Sequence, residues 1–238
     1  MKSISLLASA ILVAGSLSFL TSCNGSKSQD AVVADTVAVV PEEPKGAMEL
    51  AIDTTTSKVA WIGSTPVKKH NGTFGVTPDS KLVVENGTLT GGTITINMND
   101  IKVADITVAE DNAKLVGHLK SKDFFGVDVY PTSVFTITSV EAVDSAVVAK
   151  EGEYITENPT HKITGNLKMM DVEKSISFYA NVTMPAEGEV NAKAKFNLDR
   201  TQFNVSFMAE GTGKIKDKLI NNNVNIELDI TAKAAPAM

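Results

Sequence analysis

Few side chains in this sequence have the types and spacing that catalysis or metal binding requires. The three histidines, His70, His118 and His161, are far apart in sequence, whereas a metal site needs several converging ligands. Residues 211–214 are rich in glycine but lack the spacing of a phosphate-binding loop. Asp199 and Arg200 are interpreted as an ion pair or a hydrogen-bonded bend at a strand end. We therefore expect a protein that is not an enzyme and that has no catalytic residue, metal site or cofactor.

Cys23, the only cysteine of the chain, is the one residue with a clear chemical assignment. Lys2 is followed by an apolar run over residues 4–20, which is the layout of a secretory signal. The run ends in Leu-Thr-Ser-Cys at residues 20–23, which resembles a bacterial lipobox. We predict a signal peptide over residues 1–22 and a lipid anchor at Cys23, with acyl chains such as palmitate. The alternative is an ordinary signal peptide with a chance cysteine.

The net charge of the mature chain indicates which partners the protein does not bind. Without the signal peptide it has 21 basic and 28 acidic side chains, a net charge of −7. This charge argues against nucleic acid as a partner and against electrostatic docking onto anionic lipid. We therefore expect the N-terminal lipid to hold this lipoprotein at a membrane of the bacterial cell envelope. The expected location is the outer membrane, facing the periplasm or the cell surface.

The chain after Cys23 divides into a tether and one domain. Residues 23–47 are predicted to be the lipid anchor and a flexible linker, because they contain Gly, Ser, Pro and acidic residues and no aromatic residue. A short strand within residues 31–40 is the alternative for part of this segment. Residues 48–238 have the length of a single all-β domain.

Period-two alternation of apolar and polar residues dominates the domain. Over residues 174–184 every second residue is apolar, and residues 190–198 and 224–232 repeat the pattern. Such one-sided strands are typical of antiparallel sheets, which hide their apolar face in two packed sheets or in a closed barrel. Residues 109–119 instead have apolar residues at helical spacing, which predicts one short helix that covers a mouth or flank of the sheet.

Several motifs resemble those of the YceI-like family, in the order in which that family has them. Residues 118–125 (His-Leu-Lys-Ser-Lys-Asp-Phe-Phe) and 130–135 (Tyr-Pro-Thr-Ser-Val-Phe) resemble its signature. Further similarities are Trp61-Ile62-Gly63 with residues 70–74, the Ile-Thr-Gly-Asn-Leu of residues 163–167, and the Asp-Arg motif of residues 199–203. The last motif has Asn204 where the family commonly has glycine.

This resemblance implies an extended lipocalin-like antiparallel β-barrel of about eight strands that binds a long isoprenoid lipid, such as a polyprenol or an isoprenoid quinone. We expect the lumen, and hence the ligand, to be contacted by Trp61, Phe74, Ile94, Ile96, Met98, Leu115, Leu119, Phe124, Phe125, Phe135, Ile137, Leu167, Met169, Phe178, Ala180, Ala192, Ala194 and Phe196. A polar head group of the ligand would lie at a mouth near His118, Lys120 or Asp123.

The residues alone leave two interpretations of the barrel interior open. Small inward residues such as Gly165, Ala180, Ala192 and Ala194 leave volume for a ligand, or they belong to a fully packed core beneath the helix. The first interpretation predicts a carrier or store for a lipid. The second predicts a structural or protein-interaction module of the envelope. The sequence also leaves open whether the protein forms a homodimer.

Overall fold

The computed structural model describes residues 29–43, 45–144, 155–211 and 219–234. Cys23, the predicted signal peptide and most of the glycine-rich stretch 211–214 lie outside these ranges. Within them the chain forms eleven strands, one α-helix and one 3₁₀ turn: β1 (Val32–Ala34), β2 (Met48–Ile52), β3 (Lys58–Ser64), β4 (Lys69–Val76), β5 (Lys81–Glu85), β6 (Thr88–Val103), α1 (Ala109–Lys120), β7 (Thr132–Ala142), β8 (His161–Met169), β9 (Val172–Thr183), β10 (Glu189–Asp199), the 3₁₀ turn Arg200–Phe203, and β11 (Asn223–Lys233).

The strands pair into one antiparallel sheet that closes on itself. The order around the barrel is β3, β4, β6, β7, β8, β9, β10 and β11, and β11 pairs again with β3. The prediction of an antiparallel barrel of about eight strands with one short helix is therefore confirmed, and of the two ways to hide the apolar face the chain uses the closed barrel. None of the helices within the described ranges is long and apolar enough to cross a membrane.

At two of the eight positions around the barrel, two consecutive strands lie end to end along the same neighbour. This arrangement lengthens the barrel. Along β11, Ala232 pairs with Ile52 of β2 and Leu228 with Val59 of β3. The chain between β2 and β3 bulges out in a turn, in which Asp53 Oδ1 accepts a hydrogen bond from the Thr55 amide at 2.9 Å. β4 and β5 follow one another along β6 in the same way. The lower part of the wall between β11 and β6 is therefore formed by β2 and β5.

Helix α1 lies over one end of the barrel, where the sequence predicted a helix. Glu110 and Asp111 in its first turn and His118 and Lys120 in its last turn have favourable signs for the helix dipole. Asn112 Nδ2 donates to the carbonyls of Val103 and Ile106, both at 2.9 Å, and so ties the helix to the end of β6. Apolar side chains beneath it form a buried cluster, which contains Trp61, Ile101, Val103, Leu119, Phe124 and Val205.

The apolar residues of the alternating pattern face inward as predicted. Three polar residues on the outer face of the barrel are nevertheless buried. Ile176, Phe178, Ala180 and Val182 of β9 are all buried, as are Val190, Ala194, Phe196 and Leu198 of β10, whereas Ala192 is partly buried. Asn166, Ser175 and Asn197 are also buried, although the alternation places them on the polar, outward side of their strands.

The cover over these three residues comes from the segment that the sequence analysis assigned to the linker. Residues Val32–Ala34 form strand β1 and pair with Ser175–Ser177 of β9. The flexible-linker prediction is therefore wrong for these three residues, and the alternative of a short strand in this segment is confirmed. They are ordered because the edge of β9 offers unpaired backbone groups and because Ala31 and Val33 pack against the core. The boundary of the domain at residue 48 stays a prediction.

The contacts of Arg200 show what the Asp-Arg motif at the end of β10 does in the structure. The side chain is buried, and its guanidinium donates to the carbonyls of Asn221 at 3.1 Å, Ile220 at 3.0 Å and Val205. Burial lowers the pKa of Arg200 from its ordinary value. The carboxylate of Asp199 instead accepts from the amide of Thr201 at 2.9 Å, which caps the 3₁₀ turn. The motif is thus a hydrogen-bonded bend, and within the described ranges no ion pair joins Asp199 to Arg200.

Asn204 ends the 3₁₀ turn with a left-handed backbone, at φ 62°. Glycine adopts this conformation without strain, and asparagine is among the few other residues that tolerate it. The asparagine at a position where glycine is common therefore preserves the local geometry.

Replacing Arg200 with methionine keeps an unbranched apolar stem and removes every donor to the three carbonyls. We expect the free energy of unfolding to fall by about 2–4 kcal/mol, because each buried acceptor left without a donor costs about 1–3 kcal/mol. Urea denaturation measures the change. The control is Lys195→Met on the outer face of the same strand, which should change stability by about 0.5 kcal/mol or less. Equal losses in the two variants would contradict this account of Arg200.

Gly165 provides a second test of the packing, because a Cβ atom there would lie 2.5 Å from Cζ of Phe135 and 2.6 Å from the carbonyl oxygen of Thr136. Gly165→Ala should lower the free energy of unfolding by about 1–3 kcal/mol through overpacking. Gly63→Ala is the matched control, because its Cβ would meet no atom within 4 Å. Thermal denaturation measures the stability of both variants. The prediction would be refuted if Gly165→Ala were as stable as the control.

Candidate ligand-binding lumen

The barrel contains an apolar cavity of about 160 Å³ between helix α1 and the middle of the barrel, which we call the main cavity. Its wall is formed almost entirely by aliphatic and aromatic side chains from the barrel strands and from the end of α1. The exceptions are Gly63, Ser133 and the stem of the buried Arg200. A second cavity of about 40 Å³ lies further down the lumen, at the end away from the helix.

Most of the predicted lumen residues line one of these cavities. Those that line the main cavity are Trp61, Phe74, Ile94, Ile96, Met98, Leu119, Phe124, Phe125, Phe135, Leu167, Met169, Phe178 and Phe196. Ile137, Ala180, Ala192 and Ala194 line the second cavity. Leu115 lines neither of the two and packs, partly buried, in the cluster beneath α1. Contact of all these residues with a ligand stays a prediction.

Three phenylalanines, which we call the aromatic stack, separate the two cavities. The rings of Phe178 and Phe196 are stacked with their centroids 4.4 Å apart, and Phe135 lies 5.6 Å from Phe178 in a tilted arrangement. Phe135 and Phe178 line both cavities. The lumen is therefore two compartments of very different size, which alternation along single strands does not reveal.

The small inward residues have a different role from either interpretation of the sequence. Gly165 makes room for the ring of Phe135, and Ala180, Ala192 and Ala194 surround the second cavity. They do not lie beneath the helix, as the packed-core interpretation expected, because α1 covers the opposite end of the barrel. They also do not form the larger space.

The polar residues expected at a mouth lie at the C-terminal end of α1. His118 Nε2 is 3.2 Å from Asp123 Oδ2, and the imidazole packs edge-on against the rings of Phe124 and Phe207. Phe124 lines the main cavity, so this polar pair is next to its wall. Lys120 is the last residue of α1. None of the three side chains lines the main cavity itself.

The sequence analysis missed several residues of the main cavity. Ile176, Leu198, Val224, Ile226 and Leu228 lie at inward strand positions, so the alternation alone was sufficient to find them. Val205 and Ile220 follow irregular segments, where no periodicity points to the lumen. The remaining missed residues are Val59, Gly63, Ile101, Ser133 and Arg200.

Trp61 has an unusual polar atom in this apolar wall. Its Nε1 is the one buried side-chain nitrogen or oxygen atom within the described ranges that has no hydrogen-bond partner. A buried donor without an acceptor costs about 1–3 kcal/mol. The indole N–H is buried within the wall, and the surface of the main cavity itself is wholly apolar.

No group of three or more His, Cys, Asp or Glu side chains within the described part of the chain is arranged to hold a metal ion. His70 Nδ1 is 2.7 Å from Asp105 Oδ2 on the barrel exterior. Burial opposes ionisation of Asp105, but hydrogen bonds from the Asn71 amide and from His70 outweigh it and lower its pKa.

Two solved structures share this fold. One is BcnA from Burkholderia cenocepacia, at 17% identity and a TM-score of 0.55, with 76% of this chain and 99% of that chain covered. The other is described as a polyisoprenoid binding domain from Saccharophagus degradans implicated in plant cell wall breakdown. It is 13% identical with a TM-score of 0.55, covering 79% of this chain and 99% of that one. At these identities the likeness concerns the fold.

A comparison with curated protein sequences gives no match. The sequence profile of the YceI-like domain, in contrast, matches residues 50–232, which include the barrel strands from β3 to β11, apart from the last residue of β11, and the whole of α1. The match covers well over half of the chain and agrees with the motifs at residues 118–135, 163–167 and 199–203. The chain therefore belongs to the YceI-like domain family.

Proposed function

We propose that this protein binds a long isoprenoid lipid, such as a polyprenol or an isoprenoid quinone, in the barrel lumen for transport or storage. The observation that carries the proposal is the main cavity, an apolar space in the interior of a closed barrel. The similarity to a domain described as polyisoprenoid binding supports the same class of ligand. We further propose a binding role and not a catalytic one.

The energetics suit a hydrocarbon chain. Each buried CH₂ group contributes about 0.8 kcal/mol, so a prenyl unit of about five carbons contributes about 4 kcal/mol. Two units would supply about 8 kcal/mol, which corresponds to micromolar binding before the costs of association. No charge is needed inside the barrel, and selectivity would come from the width and length of the lumen.

The size of the main cavity limits how much of such a chain it holds at rest. A dry cavity of about 150 Å³ lined by Leu, Ile and Phe binds benzene, so the main cavity of about 160 Å³ has room for about one prenyl unit. A longer ligand requires the aromatic stack to move aside or part of the ligand to remain outside. Met98 and Met169 give adaptable walls for such a rearrangement.

Two polar groups lie near the wall of the main cavity. His118 and its partner Asp123 lie beside the wall at the helix end, where the sequence analysis placed the head. Trp61 Nε1 lies within the wall and lacks an acceptor. An alcohol or quinone oxygen at the helix end would lie next to the His118–Asp123 pair, whereas it would reach Trp61 Nε1 only if the wall around the indole moved.

The alternative of a packed structural barrel has one observation in its favour. The second cavity, below the aromatic stack, has a volume of only about 40 Å³, so the side chains around it form a packed core. A module without a ligand would have the same stable lower half. The two proposals differ in what the upper half contains.

The proposed membrane anchor is connected to the barrel by a short tether. Residue 29, where the described chain begins, is six positions after Cys23. A fully extended segment of this length spans about 20 Å. An acylated Cys23 would therefore keep the barrel wall near the membrane in which its ligand dissolves, so that the lipid need not cross bulk water.

The first test is organic extraction of the protein purified from its native membrane, followed by mass spectrometry. We expect an isoprenoid lipid from the wild type and at least tenfold less from Gly63→Phe. Gly63 lines the main cavity and its Cβ would point into open space, so a phenyl ring fills the cavity without strain.

Gly63→Ala is the matched control and should retain the lipid. Circular dichroism should show that both variants remain folded. Absence of any apolar lipid from repeated wild-type preparations, or equal lipid in the phenylalanine variant, would refute the lipid-binding proposal.

The second test concerns the anchor. Cys23→Ser should release the protein from the membrane fraction and lower the amount of bound lipid, because the barrel then meets its ligand only through bulk water. Cell fractionation and lipid extraction measure the two effects. If the released protein carries as much lipid as the wild type, the anchor determines location alone.

A further inference from the structure

The wall of the barrel is incomplete between β9 and β10. These two strands pair directly only where Asn191–Lys193 meet Thr183–Asn181. By contrast, β10 and β11 pair from Glu189 to Asp199, the whole length of β10. Towards the helix end, β9 and β10 separate, and their facing edges are filled by other parts of the chain.

Thr156 fills the first position of this gap. Its Oγ1 lies 2.8 Å from the carbonyl oxygen of Tyr179 on β9 and accepts a hydrogen bond from the amide of Lys195 on β10 at 2.9 Å. One hydroxyl group thus replaces a strand-to-strand contact.

Residues 29–38, which we call the N-terminal strap, fill the rest of the gap. The amide of Ala31 donates to the carbonyl of Asn197 on β10 at 2.8 Å, and the amide of Asn197 donates to the carbonyl of Gln29 at 2.8 Å. Two residues further on, Val32–Ala34 pair with β9. The strap is therefore a short wall strand between β9 and β10.

The strap borders the main cavity. Val33 pairs with Ile176, and Asn197 lies between Phe196 and Leu198; Ile176, Phe196 and Leu198 all line the main cavity. Ala31 and Val33 themselves pack against the core, whereas Val32 points outward and is 68% exposed. The strap therefore lies directly behind this part of the cavity wall, although none of its own residues lines the cavity.

The strap is held mainly by polar contacts. Asn166 makes two hydrogen bonds to the backbone of Ala38, at 2.9 Å and 2.7 Å, and Asn197 Nδ2 donates to Asp30 Oδ1 at 2.8 Å. Lys174 Nζ is 2.7 Å from the highly exposed carboxylate of Asp35, a pair that solvent screens. The strap explains why Asn166, Ser175 and Asn197 are buried.

The apolar anchorage of the strap is small compared with that of the other walls. It contributes two small inward side chains, whereas β9 and β10 each contribute several large ones. Segments with few buried apolar contacts open locally before the whole domain unfolds. The strap is thus the wall element most easily detached from the barrel.

We propose that the N-terminal strap is a detachable wall strand, and that an apolar ligand enters and leaves the main cavity sideways between β9 and β10. The ligand route rests on the proposed lipid-binding function; detachment of the strap does not. The strap follows within a few residues of the proposed anchor at Cys23, so its opening would face the membrane surface.

A disulfide across the strap tests the route. In a Cys23→Ser background, Val32→Cys with Ser177→Cys places two thiols on the outer face at a directly paired position. The probe is solanesol carried in phosphatidylcholine vesicles, and its transfer to and from the protein is followed by mass spectrometry. Oxidation should slow transfer at least tenfold, and a reductant should restore it.

The control pair is Lys193→Cys with Asp229→Cys, which joins β10 to β11 on the outer face away from the strap. It should leave the transfer rate unchanged after oxidation. Transfer at an equal rate with the strap locked and unlocked, or equal slowing by the control pair, would overturn the lateral route.

Hydrogen exchange tests detachment without any ligand. The amides of the strap should exchange at least a hundredfold faster than those between β8 and β9. Asn166→Ala, which removes the two hydrogen bonds to Ala38, should raise the strap exchange rate about tenfold. Strap amides as protected as the β8–β9 ladder would overturn the detachable strand. No transfer by any variant would refute the lipid-binding function and the route together, while the exchange data still decide whether the strap opens.

Discussion

Closure of the sheet through β11 is the constraint on which the rest of the structure depends. β11 is the last strand in the described part of the chain, yet it pairs with β10 on one edge and with β3 and β2 on the other. Until it is in place, the inward faces of the other strands lie against water. Once closed, the barrel has an interior that can bury a long apolar face and keep an apolar cavity away from solvent.

The interior of the barrel has two parts, one that is closely packed and one that contains a cavity. Below the aromatic stack the side chains pack closely, helped by Gly165, which admits the ring of Phe135. Above it the main cavity remains. A fold that must hold a cavity loses packing contacts around it, so a packed lower half compensates for a hollow upper half.

Polar groups are buried where irregular chain meets the barrel, and nearly all are satisfied there. Arg200 donates to three carbonyls around the loops that follow β10, and Asn166 and Asn197 bind the backbone of the N-terminal strap. These contacts hold segments that strand pairing does not reach. Within the described ranges Trp61 Nε1 is the exception, and it lies in the wall of the main cavity.

The sequence by itself determined the local features of this protein. Alternation identified the strands and their inward residues, helical spacing located α1, and the motifs indicated the family. Only the tertiary structure decided that the alanines surround the smaller cavity, that three phenylalanines divide the lumen, that Val205 and Ile220 reach it, and that Val32–Ala34 complete the wall. The physical reason is that alternation reports which side of a strand is apolar. It does not report which residues meet across the lumen, because this depends on pairing between strands that are distant in sequence.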